Sequence, residues 1–538
     1  MHEFSATTEA RSEQENKLRV RVSAVGRGGA AAGRVVPQLC PCAQYANLTA
    51  MKTSRAPILI LAGIVLGLSF PLRAAPVSAV ASTPVVAPLP PLDTGRTLYA
   101  HAADRRLSPA SNAKLYVAAL ALDTLGGDYR VRTPVFASAP VDAAGVIQGN
   151  VIVSGRGDPS CDPRRLQQDF LAAFDPYVAV LKNAGVRRIA GDVVADATYF
   201  RATPFGASWT VDDINDYYGA EISAVSVNDN YVDVRVSPGA MVGAPCSLEW
   251  LQPFAGLTFD NRTTTTVAGG ARSISVLRVP GETTVQIFGE LPLGDKPELT
   301  EATVPRPAAW FAAGLKAALA RVGISVGGAA RGVRWPEVSA QTASDVRLGE
   351  VVSAPLREYL GVMMKQSQNL QADLIFAHLG ELRRTATMPA TTRSEDLALV
   401  GLREFLTRHA LPVSDVIFDE GSGLSRNNLT TATATLALLE FMAKHGEAKA
   451  FAESLPIAGV DGTLRRRMKG TPAEGKVQAK TGTLRWTTAL SGYVTSLSGE
   501  RLAFSLMLNR FPAAPSRSAS RELDEIAALL ARYAGSRD

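Results

Sequence analysis

The chain has 538 residues, 46% hydrophobic and 20% charged, which is globular composition and length enough for two or three domains. Its net charge of +6 does not mark a polyanion partner. Residues 1–75 hold nine Lys and Arg against four Asp and Glu, which leaves the rest of the chain at +1 with no basic block, so nucleic acid is excluded as a partner. The five histidines are scattered without metal-ligand spacing, so neither a metal nor another cofactor is expected.

Residues 1–50 have no convincing periodicity and precede a complete export signal. Met51-Lys52-Thr53-Ser54-Arg55 is its basic start, Ile58 to Phe70 its apolar run, and Ala74-Ala75 and Ser78-Ala79 offer small residues for cleavage. The sequence thus predicts a signal peptide over 51–75, a non-native or mis-assigned extension over 1–50, and a periplasmic product. The apolar run is short for a membrane span, and peripheral membrane association is the alternative. Export leaves Cys161 and Cys246 in an oxidising compartment, and nothing in the sequence says whether they pair. Residues 76–92, with Pro76, Pro84, Pro88, Pro90 and Pro91, read as an extended linker.

Thr97-Leu98-Tyr99-Ala100 is the first predicted strand, followed by a turn at Ala103 to Arg106. Next comes Ser108-Pro109-Ala110-Ser111-Asn112-Ala113-Lys114-Leu115. Pro109 and the small residues suit a helix start, and apolar residues recur at Leu115, Ala118, Ala119, Leu122 and Leu125 until Gly126-Gly127 ends the pattern. Ser111 and Lys114, three apart, fall on one face of that helix. The helix start favours an oxyanion and disfavours an ammonium group, and a lysine made neutral by burial can take the proton of a serine hydroxyl. Alone, the pattern equally describes a helix start with an exposed lysine.

From about residue 131 short strand-like runs predominate: Gly149 to Val153, Ile189 to Val194, Tyr231 to Val236, and Ser273 to Val279 paired through Pro280-Gly281 with Thr283 to Phe288. One helix interrupts them near Phe170–Lys182. Residues 136–344 therefore read as a β-rich insertion, one or two modules in size. Helices resume at Ala308 to Val322, capped by Gly323, and become dense after residue 350. Among them Lys365-Gln366-Ser367-Gln368-Asn369-Leu370 is predicted to be a loop between two helices. Near the C-terminus Val477-Gln478-Ala479-Lys480-Thr481-Gly482-Thr483 opens a strand, Ala489 to Thr495 and Leu502 to Leu508 follow, and Arg521 to Tyr533 closes the chain as an amphipathic helix. A Lys-Thr-Gly on a strand lets a ligand approach the backbone at the glycine. His378, His409 and His445 fall in ordinary helical patterns, which counts against a Ser-His-Asp triad.

With Ser-x-x-Lys, Ser-x-Asn and Lys-Thr-Gly in order, the chain resembles the serine penicillin-recognising enzymes. Within them it resembles the D-alanyl-D-alanine carboxypeptidase/endopeptidases of the class C, low-molecular-mass penicillin-binding proteins. That subgroup carries a long insertion between its first two motifs, and here Ser111 and Ser367 are 256 positions apart. Leu107 to Lys114, Gly157-Asp158-Pro159, Gly421-Ser422-Gly423-Leu424-Ser425-Arg426 and Asp461-Gly462-Thr463-Leu464 also look like the family.

The resemblance implies an α/β (α+β) fold: a β-lactamase/transpeptidase-like catalytic domain, in two layers, of helices on an antiparallel sheet. It would be built from residues 93–135 and 345–538 around the insertion at 136–344. It implies a serine DD-peptidase acting on peptidoglycan stem peptides, removing terminal D-Ala or cleaving D-Ala cross-links, and covalent binding of β-lactam antibiotics. Ser111 would attack with Lys114 as base, and Ser367 would relay a proton to the leaving amine. Asn369 would bind the substrate amide, and Lys480, Thr481, Gly482 and Thr483 would form the carboxylate-binding edge, with the N–H groups of Ser111 and Thr483 as oxyanion hole. Ser422 and Asp461 are candidates for the margin of the site. A β-lactamase or esterase on the same fold is the alternative enzyme, and a non-catalytic wall-binding scaffold the alternative class. The oligomeric state is open.

Overall fold

The computed structural model describes residues 96–162, 169–511 and 518–535, with the backbone of Val85–Val86. The expected extension over 1–50, the signal segment 51–75 and most of the linker 76–92 lie outside the described residues.

Three strands form the centre of the C-terminal part: Val477–Leu484, Thr487–Thr495 and Arg501–Asn509, each antiparallel to the next. Period-two alternation gives this sheet two buried faces. Leu490, Val494, Leu502, Phe504 and Leu506 point to one side, where Leu523, Ala527 and Ala531 of the closing helix Ala519–Ala531 cover them. Each fully buried Leu or Phe contributes about 1.5–3 kcal/mol there. Tyr493 and Ala503 point to the other side, into the helices around Ser111. The closing helix thus adds a third layer to the two expected. Val85–Val86 pairs antiparallel with Arg501–Asn509, so part of the predicted linker is an edge strand. The Lys480 strand is the opposite edge.

The helix Ala113–Leu125 has no polar face over its first ten residues, because it is surrounded. The helices Leu356–Lys365, Asn369–Glu381, Ser394–Arg408 and Ala432–Lys444 share its core. It ends at Gly126, whose φ of 77° suits glycine. Thr97–Ala100 is not a strand: of its side chains only Leu98 packs inward, on the cluster beneath the sheet, so there is no alternating face to bury.

The segment between the first two motifs contains a five-stranded sheet, in the order Ala330–Val333, Val193–Asp196, Val151–Ser154, Arg132–Ala137 and Val346–Val352. The helix Pro307–Arg321 lies against it, close enough that a Cβ on Gly332 would sit 2.5 Å from the Ala309 nitrogen. The borders expected at 135/136 and 344/345 cut into this sheet, since Arg132–Ala137 and Val346–Val352 pair with each other. The pairing supports junctions outside both strands. Two three-stranded sheets follow: Thr258–Thr266, Ser273–Leu277 and Thr284–Pro292 in one, Tyr231–Ser237, Ser247–Trp250 and Glu298–Thr303 in the other. The run predicted from Ile189 to Val194 is divided into Arg188–Ile189 and Val193–Asp196, because Gly191 turns to bond the Gly149 carbonyl. Cys161 and Cys246 are both free thiols. The core of this segment runs on into Leu370, Leu374 and Ala377 of the helix that starts at Asn369, so the insertion leans on the second motif. Among the described residues no helix is long and apolar enough to cross a membrane.

Candidate active site

Ser111 lies on a single 3-10 turn, Ala110–Asn112, that runs straight into the buried helix. Three contacts fix the turn against the sheet. The Asn112 amide donates to Ser491 Oγ at 2.7 Å, and Asn509 both accepts from the Ser108 N–H at 2.8 Å and donates to its carbonyl at 3.1 Å. Two motif glycines then let neighbouring chains come in where no side chain fits. A Cβ on Gly482 would sit 2.5 Å from the Pro109 carbonyl oxygen, and one on Gly423, at φ 84°, only 2.0 Å from that of Ala110.

Lys114 is completely buried. Its Nζ donates to Ser111 Oγ at 3.1 Å, Asn369 Oδ1 at 2.6 Å and the Ser422 carbonyl at 2.6 Å. Burial lowers its pKa to about 8, against the opposing pull of the Asp373 and Glu420 carboxyls. Lys480 is equally buried, and its Nζ donates to Ser367 Oγ at 2.8 Å and to the Thr481 carbonyl at 2.8 Å. Burial, then the Lys114 and Arg467 charges, hold its ammonium pKa well below the ordinary lysine value. Each motif lysine thus touches one motif serine. Ser367 adopts a left-handed φ of 61° at the end of the helix Leu356–Lys365, which turns its hydroxyl toward Lys480.

Asn369 opens its helix, and both ends of its amide are engaged: Oδ1 accepts from Lys114, and Nδ2 donates to the Tyr218 carbonyl at 2.9 Å. Thr481 bonds Thr463 Oγ1 at 2.8 Å, while Thr483 is exposed at the end of its strand. Of the two marginal candidates, Ser422 reaches the centre through its carbonyl, its hydroxyl being bonded to Glu420. Asp461 instead pairs with Lys365 and accepts from the Ile457 N–H at 2.8 Å, so it braces the loop that presents Thr463.

A family model described as the D-Ala-D-Ala carboxypeptidase 3 (S13) family matches residues 82–530. The chain belongs to the S13 family. It is 35% identical over 453 residues to a D-alanyl-D-alanine carboxypeptidase of Actinomadura sp., covering 82% of this chain and 80% of that one. It is 27% identical to the D-alanyl-D-alanine carboxypeptidase DacB of Haemophilus influenzae, over 75% of this chain and 80% of that protein. The crystal structure of penicillin binding protein 4 (dacB) from Haemophilus influenzae superposes with a TM-score of 0.70 at 25% identity, covering 84% of this chain and 97% of that one.

Several residues of this S13 site escape sequence reading. Asp373 lies one helical turn after Asn369, an i,i+4 spacing that could have flagged it, and Glu420 directly precedes Gly421. The Tyr218 contact is a backbone carbonyl and leaves no side-chain signature. Asn228, Asp229 and Asn230 are three consecutive left-handed residues, at φ 56°, 51° and 59°. Their buried turn delivers the Asp229 carboxylate to Gln368 Nε2 at 2.8 Å and Gln371 Nε2 at 3.3 Å, beside Ser367 and Asn369.

Proposed function

We propose that Ser111 is the nucleophile of this serine DD-peptidase and Lys114 its base. The chain is a serine-type D-Ala-D-Ala peptidase acting on peptidoglycan stem peptides, and the single observation that supports these two roles is the 3.1 Å separation of Lys114 Nζ from Ser111 Oγ. Burial lowers the Lys114 pKa to about 8, which brings its neutral, proton-accepting form within reach near neutral pH. Ser111 Oγ attacks the carbonyl of the penultimate D-Ala as its proton passes to Lys114 Nζ. The tetrahedral oxyanion sits at the N–H groups of Ser111 and Thr483, where a single donor is worth about 3 kcal/mol in other enzymes. Collapse breaks the C–N bond. The proton that Lys114 took is passed through Ser367, whose hydroxyl is held by Lys480, to the leaving amine, which returns Lys114 to its neutral form. Water then hydrolyses the acyl-enzyme with Lys114 again as base, and the proton it takes goes back to Ser111 Oγ.

Lys480, Thr481, Gly482 and Thr483 form the edge that receives the terminal carboxylate. Asn369, expected to bind the substrate amide, has its own amide bonded to Lys114 and the Tyr218 carbonyl, which supports a role in orienting Lys114 instead. The same carboxylate and a strained amide are present in penicillins, which acylate Ser111; the Haemophilus influenzae relative is named a penicillin binding protein. The substrate places the enzyme outside the cytoplasm, in keeping with the export signal read at Met51. The deciding experiment is mass analysis of muropeptides after incubation with wild-type and Ser111→Ala protein. Free D-alanine, or monomers from cross-linked dimers, appears with the wild type alone; neither appearing with the wild type refutes the reading.

A further inference from the structure

Glu420 is 1% exposed and heads the loop Glu420-Gly421-Ser422-Gly423. The peptide unit joining Ser422 to Gly423 has Lys114 at one end and this carboxylate at the other. Its carbonyl accepts from Lys114 Nζ at 2.6 Å, and its N–H donates to Glu420 Oε1 at 2.9 Å. Other donors converge on the same carboxylate: the N–H of Ser422 at 2.8 Å, the N–H of Ser425 at 3.2 Å, Asn428 Nδ2 at 2.8 Å and the Ser422 hydroxyl. An anion satisfies all of them, whereas a protonated carboxyl would bring a further donor into a ring of donors. An amide held between a cation and an anion is polarised by both, so each end strengthens the other.

The remaining charged or titratable groups facing Lys114 are Asp373 on the Asn369 helix and Lys480 on the sheet edge, the latter itself facing Arg467. Asp373 accepts from the N–H groups of Gly421 at 3.2 Å and Ser422 at 3.0 Å. Burial, then the Glu420 charge, raise its carboxyl well above the usual carboxylate range, with the Lys114 charge pulling the other way; it makes no bond to the Gly423 N–H.

We propose that Glu420 is the remote counter-ion of Lys114, a positioning residue that acts through the Ser422–Gly423 peptide and governs how readily the lysine gives up its proton. This rests on the assignment of Ser111 and Lys114 as nucleophile and base. The test is the pH profile of the acylation rate with a fluorescent penicillin, for wild type, Ser111→Ala, Glu420→Gln and Asp373→Asn. Acylation needs neutral Lys114, so the wild-type rate rises with pH. Removing the Glu420 charge favours the neutral lysine and moves the midpoint of that rise to lower pH by about one unit, whatever happens to the plateau. Asp373→Asn keeps an acceptor for the Gly421 and Ser422 N–H groups and leaves the Ser422–Gly423 peptide on Glu420, so its midpoint moves less than that of Glu420→Gln. A lowered plateau with an unmoved midpoint in Glu420→Gln means a purely structural role and overturns the proposal, as does a downward shift in Asp373→Asn as large as that in Glu420→Gln. Should Glu420→Gln not fold, Glu420→Asp withdraws the carboxylate from the Gly423 N–H: a lowered midpoint supports the proposal and an unmoved one overturns it. Labelling that survives Ser111→Ala, or is absent from the wild type, instead refutes the nucleophile assignment.

Discussion

Gly482 faces Pro109 so closely that a Cβ on the glycine would lie 2.5 Å from the proline carbonyl oxygen. This contact sets how near the Lys480 strand comes to the Ser111 turn. Gly482→Ala must push the two apart, and a displacement of about an ångström in such a site costs on the order of a hundredfold in rate. The expected result is penicillin acylation slowed by that order, with the unfolding free energy lowered by about 1–3 kcal/mol. Acylation within threefold of wild type would show that the approach is not needed.

The depressed pKa of Lys114 makes stability depend on pH. Between about pH 8 and its unfolded value near 10.4 the unfolded lysine binds a proton that the folded one has released, so stability rises with pH across that window, by up to about 1.4 kcal/mol per pH unit. Above about pH 10 buried Tyr116, its pKa pushed up to about 12, works in the opposite direction. Urea unfolding at pH 7.5 and 9.5 is expected to show a smaller rise for Lys114→Met than for wild type, and equal rises would contradict the assigned burial cost.

Thr463 and Asp461 sit on one short turn with different tasks. Thr463→Val removes the partner of Thr481 Oγ1, and a rise in KM of about three- to tenfold for a D-Ala-D-Ala peptide is expected with little change in Tm. Asp461→Ala strips the loop of its bonds to Lys365 and the Ile457 N–H and is expected to cost about 1–2 kcal/mol of stability. Measuring both quantities for both variants separates the roles; a reversed pattern would refute the division.

Asp229 reaches the second motif from the inserted segment. Asp229→Ala leaves Gln368 and Gln371 without that acceptor, with an expected loss of about 1–3 kcal/mol and acylation slowed about tenfold. Asp229→Asn keeps an acceptor in the same left-handed turn, which Asn tolerates, and is expected to recover most of the rate. A variant pair with equal rates would detach this turn from the reaction.

The sequence makes legible what is local. Ser111 and Lys114 share a helical turn, and Lys480 to Thr483 share a strand, so spacing alone carries their geometry. Ser-x-Asn is nearly silent by itself and gains meaning only from the motifs on either side. Asp373 and Glu420 escape notice because acids in a helix and beside a glycine turn are commonplace, and only tertiary closure buries them under a lysine. The pairing of strands across the expected borders of the insertion escapes for a related reason: Arg132–Ala137 and Val346–Val352 look like independent strands until their register is seen.

The surrounded helix after Ser111 bears on how the chain is made. Ala113 to Leu122 offer no face suited to water, yet the first helix that packs on them begins at Leu356, more than two hundred positions later. A ribosome working at about 5–20 residues per second completes those neighbours at least ten seconds after the helix emerges. Through that interval an apolar segment is present without its core, the kind of exposure that draws chains into aggregates. Ser111 and its helix are therefore synthesised well before the residues that enclose them, and a holding chaperone would find its natural target there.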